Sequence, residues 1–188
     1  MNAELQNFQT LLAETGIEFR PTPDFVSCQV RENSVFHYQY AARSPSGVLE
    51  MRYRINAFAR MEVEAKAELE DVEMLASVSL NKMYTTNFMA IIHNLSGGQF
   101  VEPTVFQPES SNLLYDADWS ALCFLRLADN DFAPDHDSAY VLAIHKDGVA
   151  DVYVVGVYND CNGATGDFDK NNLPQDVKNY LVPTLRFT

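Results

Sequence analysis

The chain has 188 residues, 47% of them apolar and 12% aromatic, with 13 basic against 26 acidic side chains and a formal charge of −13. A chain in this size range buries roughly 70% of its unfolded surface, so one globular domain over 1–188 is expected to hold a core without metal or disulfide, and the composition excludes a disordered polymer. The charge argues against nucleic acid as a partner, no stretch reaches the roughly 20 apolar residues of a membrane span, and Met1 to Gln6 lack the basic start of a secretory signal, so a soluble cytoplasmic protein is expected.

Cys28, Cys123 and Cys161 are odd in number and far apart, which fits a reducing compartment rather than a disulfide framework. The acidity is uneven. Residues 1–94 carry 8 basic and 12 acidic side chains (−4), whereas 95–188 carry 5 and 14 (−9), twelve of those acids being Asp.

Leu5, Phe8, Leu11 and Leu12 at helical spacing, followed by Gly16, predict a short amphipathic helix over 4–14. Pro21 and Pro23 break regular structure, and alternation at Val26, Cys28 and Val30 predicts a short strand. Two alternating runs between Val35 and Ala57 flank Ser44-Pro45-Ser46-Gly47, a turn signal, and predict a hairpin in which Arg43 faces Val48. That register sets Phe36 opposite Ile55, Tyr38 opposite Tyr53 and Tyr40 opposite Met51 on a core face. The other face, with His37, Gln39, Arg52, Arg54, Ala41 and Glu50, is expected to be polar and wet.

From Leu69 to Leu95 apolar residues recur at three- and four-residue steps and Gly97-Gly98 end the run, which predicts the principal helix, with a break around Asn81–Thr86 left open. Residues 99–118, with Pro103 and Pro108, read mostly as loop with a brief strand near Val105. The apolar stretch Trp119–Leu127 predicts a strand covered on both sides, a buried helix being the rival. A second hairpin joins 139–146 to 151–158 through a four-residue loop that places Lys146 opposite Asp151, Ile144 opposite Tyr153 and Leu142 opposite Val155. Gln175–Leu181 suits a terminal helix and Leu185-Arg186-Phe187 an extended tail. The fold class expected is α+β: an antiparallel sheet of about five to six strands built on two hairpins, packed by one long central helix and short terminal helices.

Several polar groupings invite a chemical reading. Asp135-His136-Asp137 joins carboxylates to an imidazole, as a general base or a metal site requires, but neighbours on an extended chain point apart and segment 129–138 reads as a solvated loop. Residues 160–171 resemble a calcium loop in composition. Counted from Asp167, however, Asn172 stands where an EF-hand needs Gly and Lys178 where it needs Glu. No zinc spacing joins His37, His93, His136 or His145 to the cysteines, and no phosphate-binding glycine motif or nucleophile elbow occurs. Neither metal nor cofactor is expected. Cys28 and Cys123 read as core thiols, while Cys161 lies among polar residues.

The element order of helix, aromatic hairpin, long helix, Asp118-Trp119 strand and a hairpin containing Ile144-His145-Lys146-Asp147-Gly148 resembles the Mog1/PsbP-like α/β/α sandwich group. That resemblance implies a binding or accessory protein rather than an enzyme, and it carries over no functional residue. The function expected is therefore a non-catalytic protein-binding adaptor or regulator acting through an acidic surface on a basic protein partner. Its candidate binding residues are Asp129, Asp131, Asp135, His136 and Asp137 in the acidic loop, and His37, Gln39, Arg52 and Arg54 on the sheet face. Two other classes stay open: a small-molecule or metal-dependent enzyme with its site in loops 129–138 and 160–171, and an acidic inhibitor or immunity-type protein.

Overall fold

The N-terminal amphipathic spacing produces a helix, α1 (Ala3–Thr15), whose Phe8 and Leu11 are buried. Gly16 stops it with φ of +63°, a left-handed conformation that glycine adopts without strain, and turns the chain into β1 (Ile17–Phe19). The computed structural model describes residues 3–68, 80–128, 131–159, 173–180 and 185–188. Strand β1 pairs antiparallel with the chain's last strand, Leu185–Phe187, Ile17 facing Phe187. What reads in sequence as a free tail is thus half of a two-stranded sheet.

The main sheet has seven strands rather than five to six. In chain order they are β2 (Val26–Cys28), β3 (Tyr40–Arg43), β4 (Leu49–Ala57), β5 (Thr104–Val105), β6 (Trp119–Arg126), β7 (Ser138–Lys146) and β8 (Ala150–Tyr158), and the C-terminal strand is β9. In space the order is β2-β3-β4-β8-β7-β6-β5, every neighbour antiparallel. The expected count fell short because the two edge strands, β2 and β5, are only three and two residues long.

Both hairpins form, and both registers differ from expectation. In β3–β4, Tyr40 rather than Tyr38 faces Tyr53, and Arg43 faces Glu50. The turn has the expected four-residue length but sits one residue later, closed by Ser44 N–H to Leu49 O at 2.8 Å and by Leu49 N–H to the Ser44 hydroxyl at 3.2 Å. A shift of two preserves which side chains share a face. In β7–β8 the loop has three residues, Asp147–Val149, with Gly148 at φ of +70° and Val149 N–H bonded to Lys146 O at 3.1 Å. Lys146 therefore faces Ala150, His145 faces Asp151 and Ile144 faces Val152. The expected Lys146–Asp151 pair does not form: Lys146 Nζ instead donates to the Asp116 backbone carbonyl at 2.7 Å, and His145 takes Asp151.

A larger correction concerns the sheet's second face. The first face packs Tyr40, Met51, Tyr53, Leu142 and Val154 against α1, Ile17 and Phe187, as an apolar core should. The second face is not wet. Phe36 and Tyr38 leave the strand path and fold across it with Phe132, so Glu50 and Arg52 are 2% and 1% exposed. Further along, that face is covered by the helix Tyr84–Leu95, which buries Phe88, Ile91, Ile92 and Leu95. Each fully buried side chain of this size contributes about 1.5–3 kcal/mol.

Helices account for the remaining differences. α2 (Phe58–Glu68) follows β4 directly, where no element was expected. Of the run from 69 to 95 expected to hold the principal helix, with a break around Asn81–Thr86 left open, residues 69–79 lie outside the described ones. The rest is a 3-10 turn at Leu80–Lys82 and, after Met83, α3 (Tyr84–Leu95). Segment 99–118, expected to be mostly loop, contains α4 (Pro108–Tyr115), started by a proline whose fixed φ suits a first helical turn and ended by Asp116 at φ of +50°. Trp119–Arg126 is the strand expected there, and α5 (Gln175–Tyr180) is the terminal helix. In β8 only glycine fits at position 156, because a Cβ there would stand 2.1 Å from the Tyr140 ring.

Candidate functional site

Strand β4 alternates apolar residues toward the first face with Glu50, Arg52, Arg54 and Asn56 toward the second. Arg52 Nε donates to Glu50 Oε1 at 2.8 Å, its Nη1 donates to the Phe132 backbone carbonyl, and its guanidinium lies 4.3 Å from the Phe132 ring centroid and 5.1 Å from that of Tyr38. Arg43 reaches the other oxygen of Glu50 at 2.5 Å. Burial alone would raise the Glu50 pKa, but the hydrogen bonds and charges of Arg43 and Arg52 outweigh it and hold the carboxyl below the usual range. Removing Glu50 would leave the Arg52 guanidinium buried without a countercharge, at a cost of about 3–5 kcal/mol.

The acidic loop closes this network instead of projecting from it. Asp131 accepts from the Ser34 backbone and hydroxyl at 3.1 Å each, Asp135 pairs with Arg31 at 3.5 Å, and Asp137 pairs with Arg126 at 3.5 Å and accepts from the Ser138 hydroxyl at 2.8 Å. Phe132 is fully buried between them. Asp129 lies outside the described residues, as do Cys161 and loop 160–171. His136 is half-buried; burial, aided by the charges of Arg52 and Arg43, lowers its pKa, and its Nδ1 meets no partner among the described residues.

The other sheet-face candidates separate. His37 is exposed. Gln39 accepts from Ile55 N–H at 2.9 Å and donates to Ile55 O at 3.2 Å, and Arg54 Nε donates to Asn56 at 2.9 Å while burial lowers the Arg54 pKa. Sequence reading thus named Arg52 and the loop as two candidates, and the structure joins them. Beside them a cavity of about 390 Å³ is lined by Arg31, Arg43, Glu50 and Cys28, whose thiol burial pushes up to about 11.

A second polar cluster escaped the sequence reading. His145 Nδ1 lies 2.7 Å from buried Asp151 and its Nε2 lies 2.8 Å from exposed Asp147, so each ring nitrogen meets a carboxylate. Burial disfavours the imidazolium, but the hydrogen bonds it donates to Asp151 and Asp147 prevail and raise the His145 pKa. Tyr84 stacks on the ring at 4.1 Å between centroids, Trp119 packs on Tyr84 at 4.9 Å, and the Tyr153 hydroxyl donates to Asp151 at 3.3 Å. The signal was Asp147-Gly148 read with a three-residue loop, which alone brings His145 opposite Asp151. Among the described residues no group of three or more His, Cys, Asp or Glu side chains is placed to hold a metal, and no helix is long and apolar enough to cross a membrane.

Apolar exposure concentrates elsewhere. Phe100, Val105, Leu113 and Leu114 are 86%, 53%, 73% and 44% exposed, half of the eight large apolar side chains exposed among the described residues, and all four lie within fifteen residues of chain. They belong to edge strand β5, helix α4 and the loop before them. Segment 100–118 also carries Glu102, Glu109, Asp116 and Asp118 and no Lys or Arg. Compared with protein-family models, with curated proteins and with solved structures, the chain matches none.

Proposed function

We propose that this chain is a non-catalytic, protein-binding accessory domain that holds its partner at the β5–α4 margin, an apolar patch set among carboxylates. The observation that carries this reading is the concentration of exposed Phe100, Val105, Leu113 and Leu114 there, since exposed apolar side chains scattered singly need no explanation but a group of them marks an interaction surface. Glu102 and Glu109, exposed in the same stretch of chain, favour a partner with a basic rim, which keeps the role expected of the acidic half and moves its site from loop 129–138 to segment 100–118. The chemistry-bearing groups support it too: both nitrogens of His145 face carboxylates, Arg52 and Glu50 are sealed under Phe132, and the Cys28 thiol is held protonated. The resemblance to the Mog1/PsbP-like group points to the same class of protein, and helices on both faces of an antiparallel sheet are in keeping with it.

The test compares the immobilised chain with its Leu113→Asp and Phe100→Asp variants in extract of its native cell. A protein retained in stoichiometric amount by the parent chain and lost by both variants, with thermal melts unchanged, is the expected result. Equal retention by parent and variants overturns the assignment of this margin.

A further inference from the structure

The geometry points to a second docking site, at the end of β4 that β3 leaves unpaired, for an extended peptide segment that carries a carboxylate. This rests on the protein-binding reading but uses another surface, since β8, β7 and β6 lie between β4 and β5. Strand β4 pairs with β8 along its whole length from Leu49 to Ala57, but with β3 only from Glu50 to Tyr53. One more backbone bond, Gln39 N–H to Tyr53 O at 2.9 Å, extends the ladder before residues 36–38 cross the second face.

Beyond that point a side chain replaces the strand. The Gln39 amide accepts from Ile55 N–H at 2.9 Å and donates to Ile55 O at 3.2 Å, which reproduces one peptide group of a neighbouring strand. It covers one residue's backbone groups, and by the alternation of an antiparallel ladder Ala57 faces the same edge next with its N–H, its carbonyl being taken by the first turn of α2. The edge opens on a cavity of about 370 Å³ whose walls include Asn7 and Leu11 of α1 and Arg60 and Met61 of α2. An extended segment laid there gains a main-chain bond from the Ala57 N–H, a further pair at Ile55 where it displaces the Gln39 amide, and apolar contact from Leu11 and Met61.

Charge specifies the occupant. Arg54 lines this cavity, is largely desolvated, and donates to Asn56 with no carboxylate in ion-pair contact among the described residues. Arg60 lines it too, bonded among the described residues to Asn7 at 3.2 Å and to Glu64 at 3.4 Å in an exposed pair, the kind that contributes little. Among the described residues that line it, two arginines stand against one glutamate, on a chain of charge −13, with Asp151 acting on Arg54 only at longer range. A carboxylate supplies the acceptor that the Arg54 fork lacks.

A displayed library of random eight-residue peptides, selected on the full chain, tests this. Enriched peptides are expected to carry Asp or Glu, to shift the backbone amide resonances of Ile55 and Ala57, and to bind Arg54→Gln about tenfold or more weakly. The Gln39→Ala variant, with the amide plug removed, is expected to bind them more tightly, an outcome that a purely structural role for Gln39 does not produce. Four outcomes overturn the proposal: no enrichment, peptides that shift other amides, unchanged affinity for Arg54→Gln, or equal shifts with glutamate alone, which would mark a small-anion site. Failure here with partner loss intact in Leu113→Asp sinks only this inference.

Discussion

Hairpin β3–β4 places its charges beneath aromatic rings, where Arg52 and Glu50 are sealed by Phe132 and Tyr38. Hairpin β7–β8 places its own at the rim, where His145 joins buried Asp151 to exposed Asp147. The first pairs a carboxylate with a cation that never loses its proton, whereas the second depends on an imidazole whose charge changes near neutral pH. The two hairpins therefore differ in how their stability responds to solution conditions.

The largest expected difference is in the cost of a broken pair. Glu50→Gln should destabilise by about 3–5 kcal/mol in urea unfolding, because it strands the buried Arg52, whereas adding Arg52→Met should recover most of that loss. Additive losses in that cycle would mean that Glu50 and Arg52 are not coupled. In the second hairpin Asp151→Asn should cost about 1.5–3 kcal/mol, the range for hydrogen bonds to charged groups. Gly156→Ala, which drives a Cβ into the Tyr140 ring, should cost about 1–3 kcal/mol by overpacking.

pH sharpens the contrast, because the two shifts have opposite signs. Glu50 is held below its ordinary pKa, so its contribution is present above the usual carboxylate range and is lost as pH falls through the lower folded value. His145 is raised, so its contribution is complete below about 6.5 and fades as pH rises through the higher folded value. A His145 titration by NMR with its midpoint at or below the ordinary imidazole value would contradict the double carboxylate contact. The smallest effect concerns Cys28 beside the first hairpin: with its thiol pKa near 11, alkylation at neutral pH should be markedly slower than that of free cysteine.

The same pair of hairpins shows why one site was legible in sequence and the other was not. Period-two alternation marked both, and an error of two in the β3–β4 register left Glu50, Arg52 and Arg54 on one face, so Arg52 was named as a site residue. An error of one in β7–β8 changed every partner, and the His145–Asp151 pair was lost from view. Turn signals fix that a hairpin forms more firmly than they fix its closing pair. The cover of the second face was not legible at all, because it depends on Phe36 and Tyr38 leaving the strand and on Phe132 arriving from far along the chain, contacts that no local pattern encodes. Helix α4 was missed for the opposite reason: its proline and serines read as loop, although a proline at a first helical position is a start signal.

The central claim, that binding lies on the β5–α4 margin while the charged groups of both hairpins serve the fold, is tested most directly by hydrogen exchange on the complex with the retained partner. The account predicts slowed exchange in 100–118 and unchanged exchange at Asp131–Asp137 and Asp147–Asp151. Protection confined to the acidic loop, with segment 100–118 exchanging as in the free chain, would contradict it.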